Sequence, residues 1–400
     1  MSSLGGVGVY VTFEDWTRRR SVPSLGTNAG ADELPFQGWR HFKEAFAPEL
    51  IARAVANSEL PVKRCIDPFG GSGTTSLACQ FLGVHPTTME VNPFLADLIE
   101  AKLVSYDTDA LARDLGTIVR RSKLRVDDLE EAFGELPPTF IEPSVSDRWI
   151  FDRPIAGRIA ALLHAIDTLA NERHRRLFRV LLGGILVEVS NVVVNGKGRR
   201  YRRGWERRNR DPRTVDDLFC DAAQRAIGEV HRFGRRPCST YDVRRGDSRE
   251  LLFNATHCEL AVFSPPYPNS FDYTDVYNLE LWILGYLTDS GSNQALRQST
   301  LCSHVQVARD FSAQPTGSKS LSAALNKLRP RRKDLWDHRI PEMVSGYFAD
   351  MLQILDGLQK SVVRGGSVWM VVGDSQNAEV QVKTGAILSE LARATSWKLD

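Results

Sequence analysis

Apolar positions along the chain fall into short runs that alternate with helical stripes, and this alternation sets the expected architecture. Residues 62–66 form an apolar-rich run ending at Asp67, and residues 74–82 then read as a helix closed by Gly83. A second short strand at 87–89 ends in Glu90 and precedes a helix over 94–103. Far downstream, residues 240–243 and the run Leu260, Ala261, Val262 and Phe263 predict two further strands. Tyr347, Phe348, Met351, Leu352, Leu355 and Leu358 recur at helical spacing up to Gly365 and Gly366, which are expected to end that helix. Residues 367–372 then read as a fifth strand and 384–394 as its helix. Strand and helix in turn predict a doubly wound α/β domain, its mostly parallel sheet covered on both faces and its ligands at the carboxyl ends of the strands.

The alternation is interrupted between the second and third strands, where residues 105–239 intervene. Ile155, Ile159, Leu162, Leu163, Ile166 and Leu169 fall on one helical face, and residues 177–187 read as a second apolar helix. These predict an inserted helical subdomain. The expected division is an extension over 1–35, the α/β domain over 36–104 and 240–400, and the insert over 105–239.

Composition suits a soluble globular protein: 400 residues, 42% hydrophobic and 25% charged. The formal net charge is only +2, so a nucleic-acid surface has to come from local clustering of charge. The first twenty residues hold no apolar stretch of signal type, and residues 180–194 are broken by Gly183, Gly184, Glu188 and Asn191. A cytoplasmic chain is expected. The six cysteines are scattered, without a C-x-x-C pair or a His partner at ligand spacing, which speaks against zinc and against a disulfide framework.

The first strand and helix are joined by Asp67-Pro68-Phe69-Gly70-Gly71-Ser72-Gly73-Thr74-Thr75. Glycine lacks Cβ and takes positive φ, so Gly70, Gly71 and Gly73 are expected to form a floor passing close under a ligand. Thr74 and Thr75 are placed to cap the helix start. No Lys follows the glycines as in a phosphate-binding Walker loop, and the spacing is not that of a dinucleotide fingerprint. Glu90 follows Asp67 by about 20 residues, the separation at which an acid takes ribose hydroxyls in a doubly wound sheet.

The run 260–263 ends in Ser264-Pro265-Pro266-Tyr267. The exocyclic amine of cytosine or adenine is a poor nucleophile because its lone pair is delocalised into the ring. Two acceptors that take both amine hydrogens favour a pyramidal nitrogen, whose lone pair can then meet a methyl donor in line. Ser264 Oγ and the Pro265 carbonyl are the expected pair, and Pro265 and Pro266 fix φ without offering a competing N–H. Tyr267 is expected to stack on the base, which must leave a duplex to reach it. Alone, Pro-Pro-Tyr would better describe a polyproline or partner-docking loop. Its place at a strand end, downstream of the glycine turn, favours chemistry.

Together these motifs resemble those of the S-adenosylmethionine-dependent amino-methyltransferases of DNA, whose first motif is D-P-F-x-G-S-G-T-T. The resemblance covers roughly residues 36–104 and 240–395. It implies a Rossmann-like class I methyltransferase fold, S-adenosyl-L-methionine as cofactor and DNA as partner. It places Asp67, Phe69, Gly70, Gly71, Gly73 and Thr74 at the methionine part of the cofactor and Glu90 on the ribose. Residues 41–50 resemble the segment that covers the methionine end, with Phe46 as its contact; an ordinary amphipathic helix entry is the alternative. Asp247 stands where the family sets an acid against the adenine amine, or is a simple Gly-Asp turn. Asn269, Asp272 and Tyr273 belong to a run resembling S-P-P-Y-x-N-x-x-D-Y and are expected to line the pocket, unless Asp272 and Asp275 serve only a helix N-terminus. A sixth strand and the fold's terminal antiparallel hairpin would begin at Trp397, among the last residues of the sequence.

Serine in the first catalytic position is the family's usual mark for cytosine N4, with Asn or Asp commoner for adenine. The expected activity is site-specific methylation of a DNA base at that nitrogen, in restriction-modification or phage defence, with a cognate endonuclease or defence-system proteins as candidate partners. Adenine N6 methylation, RNA methylation and a catalytically silent nucleic-acid-binding module are the alternatives. Pro237-Cys238 suggests methylation of a ring carbon through a thiol, but it precedes the Asp247 turn and is set aside.

Lys197, Arg199, Arg200, Tyr201, Arg202, Arg203 and Trp205 crowd into one short segment of the insert. Cations for phosphates and aromatics for stacking predict nucleic-acid contact, against the alternative of a solvated charged loop. A second insertion over 288–341 carries Arg329-Pro330-Arg331-Arg332-Lys333, and is expected either to cover the target base or to take part in target recognition.

Overall fold

Five strands form one parallel sheet in the computed structural model, which describes residues 10–42, 44–123, 128–145, 147–195, 198–208, 210–309, 311, 314–395 and 397–399. They are β1 (Arg64–Asp67), β2 (His85–Glu90), β3 (Asp242–Arg245), β4 (Cys258–Phe263) and β5 (Val362–Met370), in the order β3-β2-β1-β4-β5. Cys65 of β1 is paired with Pro86 on one side and Leu260 on the other, so β1 is the central strand. Alternate residues point to opposite faces, and both faces are covered. Cys65, Leu260 and Val262 join a core with helices Thr74–Phe81 and Pro93–Leu103, whereas Ile66, Ala261 and Phe263 join one with Ile340–Ser361 and Thr384–Ala394. Burial on both sides is why β4 reads as an unbroken apolar run.

The chain steps outward from β1 to β2 and β3, then crosses back to β4 and β5. The topological switch therefore lies between β1 and β4, where doubly wound sheets open a crevice beyond the strand ends. Helix Thr74–Phe81 is buried along its whole length. Helix Pro93–Leu103 starts on Asn92, whose side chain accepts from the Phe94 and Leu95 amides at 3.0 and 3.3 Å, with Pro93 in the first turn.

One expected boundary is wrong. The helix carrying Tyr347 to Leu358 ends at Ser361, and β5 begins at once with Val362, so Gly365 and Gly366 lie inside the strand. The pairing of β4 with β5 shifts register between Cys258 and Leu260. Gly365 has φ +84°, and a Cβ on Gly366 would sit 2.6 Å from the Glu259 carbonyl oxygen. The two glycines make a bulge pressed against the neighbouring backbone, not a helix stop.

Helices Thr108–Arg121, Arg153–Asp167, Glu172–Val189 and Arg213–Phe233 form the insert, and their buried faces join the core on the helix Pro93–Leu103 side of the sheet. Gly183 lets Glu172–Val189 approach that helix, since a Cβ there would lie 2.7 Å from the Phe94 ring. The segment before β1 is tied down too: Trp16 stacks on Phe81 at 4.6 Å, and the Phe36 amide and Trp39 indole both donate to Glu229 at 2.7 Å. A short antiparallel hairpin, Ser375–Asn377 with Val380–Val382, follows β5. Among the described residues no helix is long and apolar enough to cross a membrane.

Candidate active site

A cavity of about 660 Å³ opens over the carboxyl ends of β1, β2 and β4, at the switch point. Residues from the glycine turn, from Glu90, from Asp247 and from Ser264 to Tyr267 line it together. Two motifs almost two hundred residues apart in sequence thus share one chamber.

At one end the glycine turn folds under Phe42. Gly71 has φ +52°, and a Cβ on it would lie 3.1 Å from the Phe42 ring, which is itself stacked on Tyr277 at 5.8 Å. Phe46, Asp67, Phe69, Gly70 and Thr74 line the same end. Gly73 does not: it is the N-cap of helix Thr74–Phe81 at φ +80°, and a Cβ there would meet Ile99 at 3.0 Å, so its open side faces a helix. Nor do the threonines cap. With Gly73 as the cap residue, Thr74 Oγ1 bonds Gln37 Nε2 at 3.3 Å and Ser72 Oγ at 3.0 Å, while Thr75 Oγ1 donates to the Val262 carbonyl at 3.3 Å.

Two buried carboxyls face this end. Glu90 accepts from the Gly71 amide through one oxygen and from the Asn92 amide through the other, each at 2.8 Å, and burial pushes it up to about 7. Asp67 accepts from the Phe69 amide at 2.8 Å, and burial pushes it up to about 6. A desolvated carboxyl held near neutrality is stabilised in its ionised form by any hydroxyl or ammonium group that enters the cavity. Asp247 fits both readings of its turn. It lines the cavity, and it caps helix Ser248–Leu251 by accepting from the Arg249 amide at 2.9 Å while its carboxylate pairs with the Arg249 guanidinium at 2.5 Å.

At the other end, Ser264 Oγ donates to the Val371 carbonyl just beyond β5 at 3.0 Å. The hydroxyl proton is thereby engaged, and the oxygen presents lone pairs to the chamber. Tyr267 Oη lies 3.4 Å from Ser264 Oγ, and the Tyr267 ring rests on Gly373, where a Cβ would approach to 3.0 Å. Pro265, Pro266, Asn269 and Tyr273 also line the cavity. Asp272 lies behind the wall. It caps helix Tyr273–Val276 through the Thr274 amide at 3.0 Å and pairs with Arg297 at 3.1 Å, because the turn needs a cap and the arginine a counter-ion.

No protein-family model matches the chain. It is 23% identical over 411 aligned residues, 92% of its length and 80% of the relative's, to the type II methyltransferase M.AvaI of Nostoc sp.. To the type II methyltransferase M.BsoBI of Geobacillus stearothermophilus it is 22% identical over 446 residues, 98% of its length and 83% of the relative's. The fold is that of a Rossmann-like methyltransferase. A third relative, M.MjaII of Methanocaldococcus jannaschii, is 30% identical over 86 residues, 22% of this chain and 16% of its own.

On this methyltransferase fold the basic segment of the insert divides. Strand Gly198–Tyr201 pairs with Val192–Asn195 and abuts helix Tyr273–Val276, which follows the Ser264–Tyr267 turn. Trp205 is only 7% exposed, held edge-on by Trp149 at 5.1 Å and against Tyr201 at 5.2 Å, so it offers no free face for stacking. Arg202 closes the end of helix Glu172–Val189, donating to the Val187 and Ser190 carbonyls at 2.8 and 3.2 Å. Arg199 lies with its guanidinium 5.7 Å over the Phe140 ring, and burial lowers its pKa. Arg200 and Arg203 are exposed, as are Arg207 and Arg208. Lys197 lies outside the described residues.

Two cavity or near-cavity residues carried no recognisable sequence signal, and a third, Phe42, lies in the segment 41–50 with nothing to single it out there. Phe42 roofs the glycine turn. Lys102, buried beneath it, donates to the Ser72 carbonyl at 2.7 Å and to Gln37 at 3.1 Å, and burial pushes its ammonium down to about 7. His304 lines the Ser264 end with Nε2 3.9 Å from Asp272, and burial pushes its imidazole down to about 4, leaving it neutral at physiological pH. The helical run 93–103 hides Lys102 among apolar neighbours, and His304 sits in an insertion without periodicity. Cys238 lies off the cavity beside Thr240, and none of the six cysteines lines it.

Proposed function

We propose that this protein transfers the methyl group of S-adenosylmethionine to N4 of cytosine in DNA, at a specific sequence, as the modification partner of a restriction endonuclease. The observation that carries the reading is the bond from Ser264 Oγ to the Val371 carbonyl at 3.0 Å, in the same chamber as the glycine turn and Glu90. It leaves the serine oxygen as an acceptor, and with the carbonyl of Pro265, which lines the same chamber, it would make the pair an exocyclic amine needs. The type II designation of M.AvaI and M.BsoBI supports a DNA substrate and a place in restriction-modification.

The cofactor end suits S-adenosylmethionine on chemical grounds. A chamber of about 660 Å³ lies within the usual size of small-molecule sites, and its buried Asp67 and Glu90 gain from ammonium and hydroxyl donors. Glu90 would take the ribose hydroxyls, Asp67 and the Gly70–Gly71 backbone the methionine part, and Asp247 the adenine amine, with Phe42, Phe46 and Phe69 as apolar walls. When bound, the cofactor supplies an electrophilic sulfonium methyl. The chain's part is to hold the amine: Ser264 Oγ and Pro265 O accept its two hydrogens, Tyr267 stacks on the extruded ring, and the neutral His304 forms part of the wall at that end. No thiol is required. The insert over 105–239, through Arg200 and Arg203, would form part of the DNA side.

Transfer of labelled methyl to mixed DNA and RNA, followed by nucleoside mass spectrometry, tests this directly. N4-methylcytosine in DNA is expected. Ser264→Ala should lower kcat on the order of 100-fold with cofactor affinity unchanged, by analogy with loss of one preorganised transition-state hydrogen bond. N6-methyladenine would overturn the base, labelled RNA the substrate, and full activity in Ser264→Ala the mechanism.

A further inference from the structure

The second insertion carries a surface that the chamber does not use. Helix Lys319–Leu328 and the turn Arg329–Arg331 lead into a loop that reaches Arg339. Residues 327–339 hold six Lys and Arg against two Asp, in a chain whose net charge is only +2. Arg332 is engaged with Glu342 at 3.0 Å and Arg339 with Asp337 at 2.7 Å. Lys327, Arg329 and Lys333 are exposed, and among the described residues no carboxylate pairs with them. In their midst Trp336 stands 62% exposed. A large indole left in water, in a segment that carries six cations along thirteen residues, fits an anionic polymer with flat rings better than an apolar protein face.

The position of this surface gives it meaning. Arg331 Nη1 donates at 2.8 Å to the carbonyl of Ala378, in the turn of the hairpin after β5. That hairpin continues from Val371 and Gly373, the residues that hold Ser264 and Tyr267. Five residues of chain, at most about 18 Å, separate Gly373 from Ala378. At about 3.4 Å per phosphate along one strand, Ala378, where Arg331 is anchored, is thus within about five nucleotides of Gly373, and Arg329 and Lys333 lie two residues to either side of Arg331. The insert comes near the chamber elsewhere, where a Cβ on Gly198 would lie 4.0 Å from Asp275, next in sequence to the lining residue Thr274.

We propose that Arg329, Lys333 and Trp336 form a second bank of the DNA site, opposite the insert. Phosphates flanking the extruded cytosine rest on the two cations, and the indole packs on the sugar and base of the same strand. The inference rests on the DNA reading above and adds to it a surface on the β5 edge of the sheet. Its chemistry is that of backbone positioning with one stacking contact.

Fluorescence anisotropy with a mixed-sequence duplex over a range of salt concentrations tests it. In the double variant Arg329→Ala/Lys333→Ala, the slope of log affinity against log salt should become shallower by about 1.8, two phosphates at ~0.9 each. Trp336→Ala should bind roughly 10-fold more weakly. Cofactor affinity by calorimetry and melting temperature should stay at wild-type values, since all three side chains are on the surface. If the wild type methylates DNA and both variants keep its slope and affinity, this surface alone is removed. A wild type that binds no duplex, or prefers RNA, overturns both this proposal and the DNA reading.

Discussion

At the scale of single residues, the chamber beside the glycine turn holds carboxyls that keep protons unusually late. Glu90 titrates near 7 in the folded protein against an ordinary 4.5, so the folded state binds more protons between those values. Its contribution to stability is complete below about 4.5 and lost as pH rises through about 7. A ligand whose hydroxyls donate to the carboxylate favours the ionised form, and its binding has the opposite trend. Affinity for S-adenosylmethionine should therefore rise with pH, by at most roughly tenfold per unit for one proton, and level off above 7. Asp67, at about 6, acts in the same direction at lower pH. Calorimetry on wild type and Glu90→Gln isolates the upper part of the slope, which the variant should lose. A wild-type affinity that does not change with pH would take Glu90 out of the cofactor site. Asp67 and Glu90 were legible because each ends an apolar run. His304 was not, since only the folded chain brings it to those strand ends, and Phe42 was legible only as part of the segment 41–50.

At the scale of elements, the sequence rules worked where one periodicity held and failed where a glycine had two meanings. Helix Thr384–Ala394 and the strand–turn–helix around Asp67 follow their hydrophobic patterns. Gly365 and Gly366 look like a helix stop but form the bulge of β5, because the reason for glycine there is the backbone of β4, which is remote in sequence. Gly366→Ala should cost roughly 1–3 kcal/mol, since a Cβ 2.6 Å from the Glu259 carbonyl forces backbone to move. Gly228→Ala is the contrast. That glycine lies within helix Arg213–Phe233 with nothing within 4 Å of the added Cβ, so the change should stabilise by about 0.5–1 kcal/mol. Urea unfolding midpoints measure both. If Gly366→Ala unfolds at the wild-type midpoint, the close approach of β5 to β4 is not a constraint.

At the scale of the whole molecule, a basic stretch in sequence became two kinds of residue once folded. Arg202 and Trp205 hold the insert together, while Arg200, Arg203 and Arg207 face solvent. Composition cannot separate them, because a guanidinium that caps a helix and one that awaits a phosphate have the same side chain. Arg202→Ala should lower the melting temperature, since it frees the Val187 and Ser190 carbonyls, and change salt dependence little. Neutralising Arg200, Arg203 and Arg207 should do the reverse, leaving the melting point in place and flattening the salt slope by up to about 2.7 if each meets one phosphate. The two banks make a stronger demand on the same measurement. If the insert and the Arg329–Trp336 surface grip one duplex at once, combining the two sets of neutralising changes should lower the slope by the sum of their separate effects. If each bank alone accounts for the whole loss, they hold DNA in alternative modes, and the target base is delivered to Tyr267 from one side only.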